Sequence, residues 1–285
     1  MRPPIIHQPF AYDLGPLQIT GFGLAVMLGF VIAQIISQRE IARRGHDPEP
    51  IADLVFAAVI GGLLGGKIYY AILTGDVGSL LSRSGLVFWG GLIGGIVATY
   101  VVMRRRGLPF TRISDVGGMG VAAAHSVGRT GCWAVGDDYG RPWTSPFATR
   151  FPEGAPPSTA ENMQQLFGAR IPEGVAPQDV LSVHPTQLYE TVLLFAAFFV
   201  LWRLRGHRHA EGWLFGLYCV LAGAERFVIE FFRAKDDRFF GPLTVAQVIA
   251  LLFMAGGAAW MYARRSPRAG APGIYAGSIA PVPAA

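Results

Sequence analysis

Charge is scarce in this sequence. Lys, Arg, Asp and Glu make up 15% of its 285 residues while hydrophobic types reach 52%, against roughly 25% charge in an ordinary soluble domain. That balance excludes a typical soluble enzyme and predicts a chain that lives in lipid. Cysteine is nearly absent: Cys132, at an expected membrane-surface turn, and Cys219, inside an apolar run, offer neither a disulfide framework nor a metal centre. The formal net charge of +5 is not gathered into a basic stripe, which excludes a nucleic-acid interface. Residues 1–16 lack the basic region and small-residue cleavage pattern of a secretory leader, so the first apolar run is expected to stay in the mature protein.

What is abundant is long apolar blocks separated by short charged connections. Runs at 17–37, 52–74, 85–103, 112–128, 186–203, 212–232 and 243–263 predict an all-α integral membrane protein, a seven-transmembrane-helix bundle. Most approach the ~20 residues needed to cross ~30 Å of hydrocarbon. The chain then divides into a segment 1–16, a membrane domain 17–265 and a Pro-, Gly- and Ala-rich tail 266–285 expected to be disordered. Basic clusters occupy alternate connections: Arg39, Arg43 and Arg44; Arg104, Arg105 and Arg106; Arg203, Arg205 and Arg208; Arg264, Arg265 and Arg268. Positive loops stay inside, which predicts an N-terminus outside and a C-terminus in the cytoplasm. The connection 233–241, with Arg233, Lys235 and Arg238, departs from that pattern. Pro142, Pro146, Pro152, Pro156, Pro157, Pro172 and Pro177 predict that 141–183 is an irregular periplasmic arm with at most one short helix, near 160–167.

Gly61-Gly62-Leu63-Leu64-Gly65-Gly66 and Gly90-Gly91-Leu92-Ile93-Gly94-Gly95 each place small residues four apart, a pattern that lets two backbones meet. The fourth run holds Asp115, His125 and several glycines, which predicts a helix buried against its neighbours. Charged groups at membrane depth are costly enough to be functional candidates. They are Lys67, Arg129, His184, Glu190, Glu225, Arg226 and Glu230. Arg226 and Glu230 share a helical face, so mutual neutralisation is the competing structural reading. The fourth run ends in Gly128-Arg129-Thr130-Gly131-Cys132, followed by Gly136-Asp137-Asp138-Tyr139-Gly140-Arg141. Glycines around an arginine predict a flexible turn at the outer interface, suited to a phosphate oxyanion, with an ordinary turn as the plainer alternative. The stretch His184-Pro185-Thr186-Gln187-Leu188-Tyr189-Glu190 concentrates polar groups at a helix entrance, where Pro185 fits the first turn. It reads either as a site or as side chains that satisfy backbone and arginine.

Taken in order, these two blocks and Arg226-Phe227-Val228-Ile229-Glu230-Phe231-Phe232-Arg233 resemble bacterial prolipoprotein diacylglyceryl transferases over about residues 10–265. The resemblance implies transfer of the diacylglyceryl group of phosphatidylglycerol to the lipobox cysteine thiol of a secreted preprolipoprotein, releasing glycerol phosphate. It implies a multi-pass protein of the bacterial cytoplasmic (inner) membrane, with no cofactor and no metal. By position it assigns catalysis to Arg129, Arg226, Glu230 and His184, and substrate contact to Arg129, Gly140 and Tyr70. Gln187, Tyr189, Asp137 and Arg233 stand beside these as further substrate-binding candidates. In this scheme Arg129 and Arg226 hold the lipid phosphate, and His184, Glu230, Asp137 and Asp138 are the candidate bases for the thiol. The chain departs from the family pattern at Trp89, where a histidine is usual, at Phe22 in place of a tyrosine, at Cys132 and Val135 in place of asparagines, and at Asp137 in place of a glutamate. Two rival readings accompany the transferase. Trp89 and Phe22 favour a catalytically inactive relative that binds anionic phospholipid or a lipoprotein precursor, and the span count alone allows a small transporter or channel.

Overall fold

A chain that crosses lipid must satisfy its backbone groups internally, and the apolar runs do so as helices. The computed structural model describes residues 5–266 except 16, 83–84, 172, 235–237 and 241. Its helices are α1 (Gly21–Arg43), α2 (Glu49–Thr74), α3 (Phe88–Arg105), α4 (Phe110–Val135), the short α5 (Ala160–Gln165), α6 (Thr186–Leu204), α7 (Trp213–Ile229) and α8 (Val245–Ala263). Four of them, α1, α2, α6 and α8, are long and apolar enough to cross a membrane by length and composition. Their outward faces carry large apolar side chains, including Phe56, Leu73, Val192 and Leu252 at 64–69% exposure. Buried positions hold apolar residues such as Met119, Leu194, Leu201 and Leu214 together with small and polar ones, so apolar side chains face both ways, as expected when the surroundings are hydrocarbon.

Several boundaries differ from the sequence expectation, with α1 running on to Arg43 and α7 stopping at Ile229, and two of the differences change the local structure. Residues 17–20 are not helical but pair as β3 (Leu17–Thr20) with β2 (Ala11–Leu14), and the Thr20 hydroxyl accepts from Gly23 N–H at 3.1 Å to start α1. The fourth helix does not stop at 128. It continues to Val135 and closes on Gly136 in the left-handed region at φ 71°. The expected irregular arm is also more ordered than its prolines predict. β1 (Ile5–Ile6), β4 (Thr149–Arg150) and β5 (Ser182–Val183) form a sheet, and Tyr139, Phe151, Met163, Val183 and Ala234 are buried together against it. β6 (Arg238–Phe240) and β7 (Leu243–Thr244) make a further hairpin. Lys235 and the tail 267–285, expected to be disordered, lie outside the described residues.

Small residues set the helix contacts. Gly61 and Gly65 on α2 meet Gly94 and Gly90 on α3 so closely that a Cβ at any of these glycines would strike the other backbone. Gly29 lies on Ala124, Gly120 on Ala33 and Ser37, and Gly216 on Gly257, joining α1 to α4 and α7 to α8.

The end carrying the basic connections is held by buried charge. Asp115 of α4 accepts from Gly212 N–H at 2.9 Å and Phe215 N–H at 2.8 Å, capping α7, and faces Arg44 at 3.5 Å. Arg44 in turn pairs with Glu40 at 2.9 Å, and all three side chains are almost fully buried. Removing one member strands the others, because a buried ion stripped of its partner is far costlier than the intact pair. Asp115→Ala is expected to destabilise the protein by about 3–5 kcal/mol, read as a large fall in unfolding temperature of the detergent-solubilised chain. A change of a degree or two would show that the network is not structural.

Candidate functional site

Opposite the basic connections, four segments converge: the last turns of α4, the loop 136–142, the entrance to α6 and the end of α7. The loop is placed by main-chain pairing. Gly140 N–H donates to His184 C=O at 2.8 Å, and Arg141 N–H donates to Phe232 C=O at 2.9 Å. Gly140 is required by space: a Cβ there would collide with Phe232 C=O and lie 2.8 Å from both His184 Cβ and Thr186 Cγ2. Thr186 Oγ1 donates to Asp138 C=O at 2.6 Å, and Gln187 Nε2 donates to Asp137 C=O. The first turn of α6 thereby fixes the two aspartates. Asp138 adopts φ 55°, a left-handed backbone uncommon outside glycine and concentrated at functional sites.

That conformation aims the Asp138 carboxylate at two arginines, Arg129 Nη1 at 3.0 Å and Arg233 Nη2 at 2.8 Å. Arg129 also pairs through Nε with Glu190, which faces Arg233 Nη1 at 3.6 Å. Arg226 binds Glu230 at 2.6 Å, as their four-residue spacing predicts, and its charge reaches both Glu190 and His125. Arg129, Arg226 and Arg233 therefore surround one region together with Asp138, Glu190 and Glu230. Arg129 is buried, with a side chain 10% exposed, and its Nη2 has no hydrogen-bond partner, whereas the Arg226 side chain is 38% exposed. A buried guanidinium with an open N–H position is a donor awaiting an acceptor.

The sequence reading needs correction on Arg129, Gly131 and Cys132. They lie within α4 and not in a flexible turn, since Gly131 is the surface against which Ala25 and Phe22 of α1 pack. Glu230 is the residue that caps α7, and Arg233 lies beyond it, outside the helix. His184 is engaged elsewhere: its ring stacks on Trp143 with centroids 4.2 Å apart and Nδ1 lies 3.3 Å from Tyr189 OH. Tyr70 is not brought to the arginines; its ring lies against Gly85 ahead of α3. Lys67 reaches Ser82 instead, donating to its carbonyl at 2.5 Å. Trp89 is 51% exposed and packs edge-on against Phe88, and Phe22 is 44% exposed. Sequence spacing did not single out Glu190 and Asp138 as the hubs. The signal available for Glu190 was its charge at membrane depth, 5% exposed in the structure.

Cys132, Asp137 and Asp138 present possible metal ligands within 4.8 Å of one another. Asp138 already neutralises two guanidinium groups, and these oppose a cation, so the electrostatics favour an anion. Burial outweighed by Arg233 and Arg129 holds the Asp138 carboxyl below its usual value, while burial and the adjacent Asp138 push Asp137 up to about 6. For Asp137 the sign follows directly. An unfolded aspartate titrates near ~3.9, so the folded state binds more protons between about 4 and 6, and this group's stabilisation is lost as pH rises through that window. Thermal unfolding followed from pH 4 to 6 is expected to decline less steeply in Asp137→Asn than in the parent; identical slopes would contradict the assignment.

The site can also be compared with known proteins. The family model described as prolipoprotein diacylglyceryl transferase matches residues 9–263. A phosphatidylglycerol–prolipoprotein diacylglyceryl transferase of Clostridium tetani is 28% identical over 253 residues, covering 86% of this chain and 92% of its own length. The enzyme of the same name from Nitratidesulfovibrio vulgaris strain DP4 is 32% identical over 268 residues, covering 87% and 91%. That of Corynebacterium diphtheriae is 28% identical over 268 residues, covering 90% and 92%.

Proposed function

We propose that this chain, which belongs to the prolipoprotein diacylglyceryl transferase family, moves the diacylglyceryl group of phosphatidylglycerol onto the lipobox cysteine thiol of a prolipoprotein and releases glycerol phosphate. The observation that carries the reading is the convergence of Arg129 and Arg226 on one region, the first buried with an unused donor and the second half-open. A guanidinium pair of this kind grips the lipid phosphate and receives the negative charge that develops on it as the carbon–oxygen bond to diacylglycerol breaks. Arg233 and the carboxylates of Asp138 and Glu190 hold Arg129 in place. Gln187 and Gly140 fix the loop, and Tyr189 and His184 form its aromatic flank.

The membrane frame supports the same reading. α3, α4 and α7 cross the bilayer beside the four apolar helices, giving seven spans with the basic connections in the cytoplasm and the arginine site near the outer face of the bacterial inner membrane. There the phosphatidylglycerol headgroup and a secreted precursor meet. The names carried by the relatives favour the transferase over an inactive lipid binder.

Incubation of the purified protein with phosphatidylglycerol and a cysteine-containing lipobox peptide, read by mass spectrometry, is expected to show the mass of one added diacylglyceryl group. Arg129→Ala and Arg226→Ala should each lower the rate by about 100-fold or more, the usual effect of deleting a preorganised donor to a developing oxyanion. Unchanged rates in both would remove the phosphate clamp.

A further inference from the structure

His125 is the one imidazole on α4, two turns beyond Gly118. Gly118 faces Phe215 and Tyr218 of α7, which runs in the same direction, so the same two-turn step along α7 arrives at Ala222 and Glu225. The short Ala222 side chain opposite the histidine leaves room beside its ring. The ring is accessible yet close to the charges of Arg129 and Arg226, the situation of a group on a concave wall. Among the described residues it makes no hydrogen bond.

Of the other candidate bases four are committed, and Asp137 sits in the loop after α4 beside Cys132 and Asp138. Asp138 and Glu190 each face two guanidinium groups, Glu230 binds Arg226, and His184 is stacked on Trp143. Glu225 is 8% exposed.

Lipid geometry then selects a side. With the phosphate held between Arg129 and Arg226, the acyl chains run into the bundle, and the carbon to be attacked lies on the inner side of the phosphate. Displacement with the leaving oxygen in line brings the thiol from that inner side. Four residues of helix place His125 about 6 Å from Arg129 along the axis of α4, toward the inner side. We infer that His125 is the general base of the transfer, taking the proton of the lipobox thiol. This rests on the phosphate-clamp reading of the two arginines. The thiol proton passes to the free imidazole nitrogen as the sulfur–carbon bond forms. The carbon–oxygen bond breaks with its electron pair moving to the phosphate, and the imidazolium then gives its proton to the released glycerol phosphate, whose second ionisation lies near ~6. The groups facing the imidazole are Arg129 on its own helix and Arg226 on α7, with Glu190 of α6 and Glu225 of α7 around them.

The test uses the full chain with phosphatidylglycerol and the lipobox peptide, comparing His125→Gln and His125→Asn with the parent and with Arg226→Ala. Both histidine variants are expected to keep the parent's unfolding temperature and co-purifying phosphatidylglycerol but to transfer about 100-fold more slowly at pH 7. Their deficit should shrink as pH rises toward ~8.5, where the peptide thiol ionises unaided. Transfer within about twofold of the parent, a deficit constant with pH, or loss of bound lipid would each overturn the assignment. Full activity of Arg226→Ala would instead sink the clamp, an outcome read independently of His125.

Discussion

Three guanidinium groups placed inside a bundle that faces hydrocarbon have to be matched, and this requirement organises the rest of the protein. An isolated buried charge would cost several kcal/mol, so Arg129 and Arg233 share Asp138 and Glu190 while Arg226 takes Glu230. The matching carboxylates come from three places: the loop after α4, the first turns of α6 and the end of α7. Each must be delivered accurately. The left-handed Asp138, the side-chain-free Gly140 and the bonds from Thr186 and Gln187 are the means of delivery.

The ion pairs leave one buried arginine donor over. Three arginines and three carboxylates offset each other, and yet Arg129 Nη2 stays open. In the proposed clamp this is the preformed donor that a phosphate would meet. Access differs between the two arginines, 38% of the side chain for Arg226 against 10% for Arg129. In the proposed clamp the more open one would be the first contact for a headgroup, and the buried one would feel its charge more strongly, because its surroundings screen less.

Much of this was legible before coordinates. Apolar runs located the long helices, since hydrocarbon imposes them; glycines spaced by four located the α2–α3 contact; and the four-residue step from Arg226 to Glu230 located an ion pair. What escaped was non-local. Glycines at 128 and 131 resemble a turn in sequence, but Gly131 is a packing surface whose partner on α1 lies about a hundred residues away. The pairing of Ile5 with Thr149, and of Gly140 with Arg233, has no local signature either. Tyr70 enters the site only by the family resemblance, and its ring lies against Gly85.

The capped junction of Asp115, Arg44 and Glu40 ties α1, α4 and α7 at the end remote from the arginines. A bundle fastened there behaves as a pair of tweezers whose joint cannot slip. Helices fastened in this way are free to part only toward the opposite tips, where the proposed lipid site lies, while the glycine-lined seam of α2 and α3 has no room for a tail.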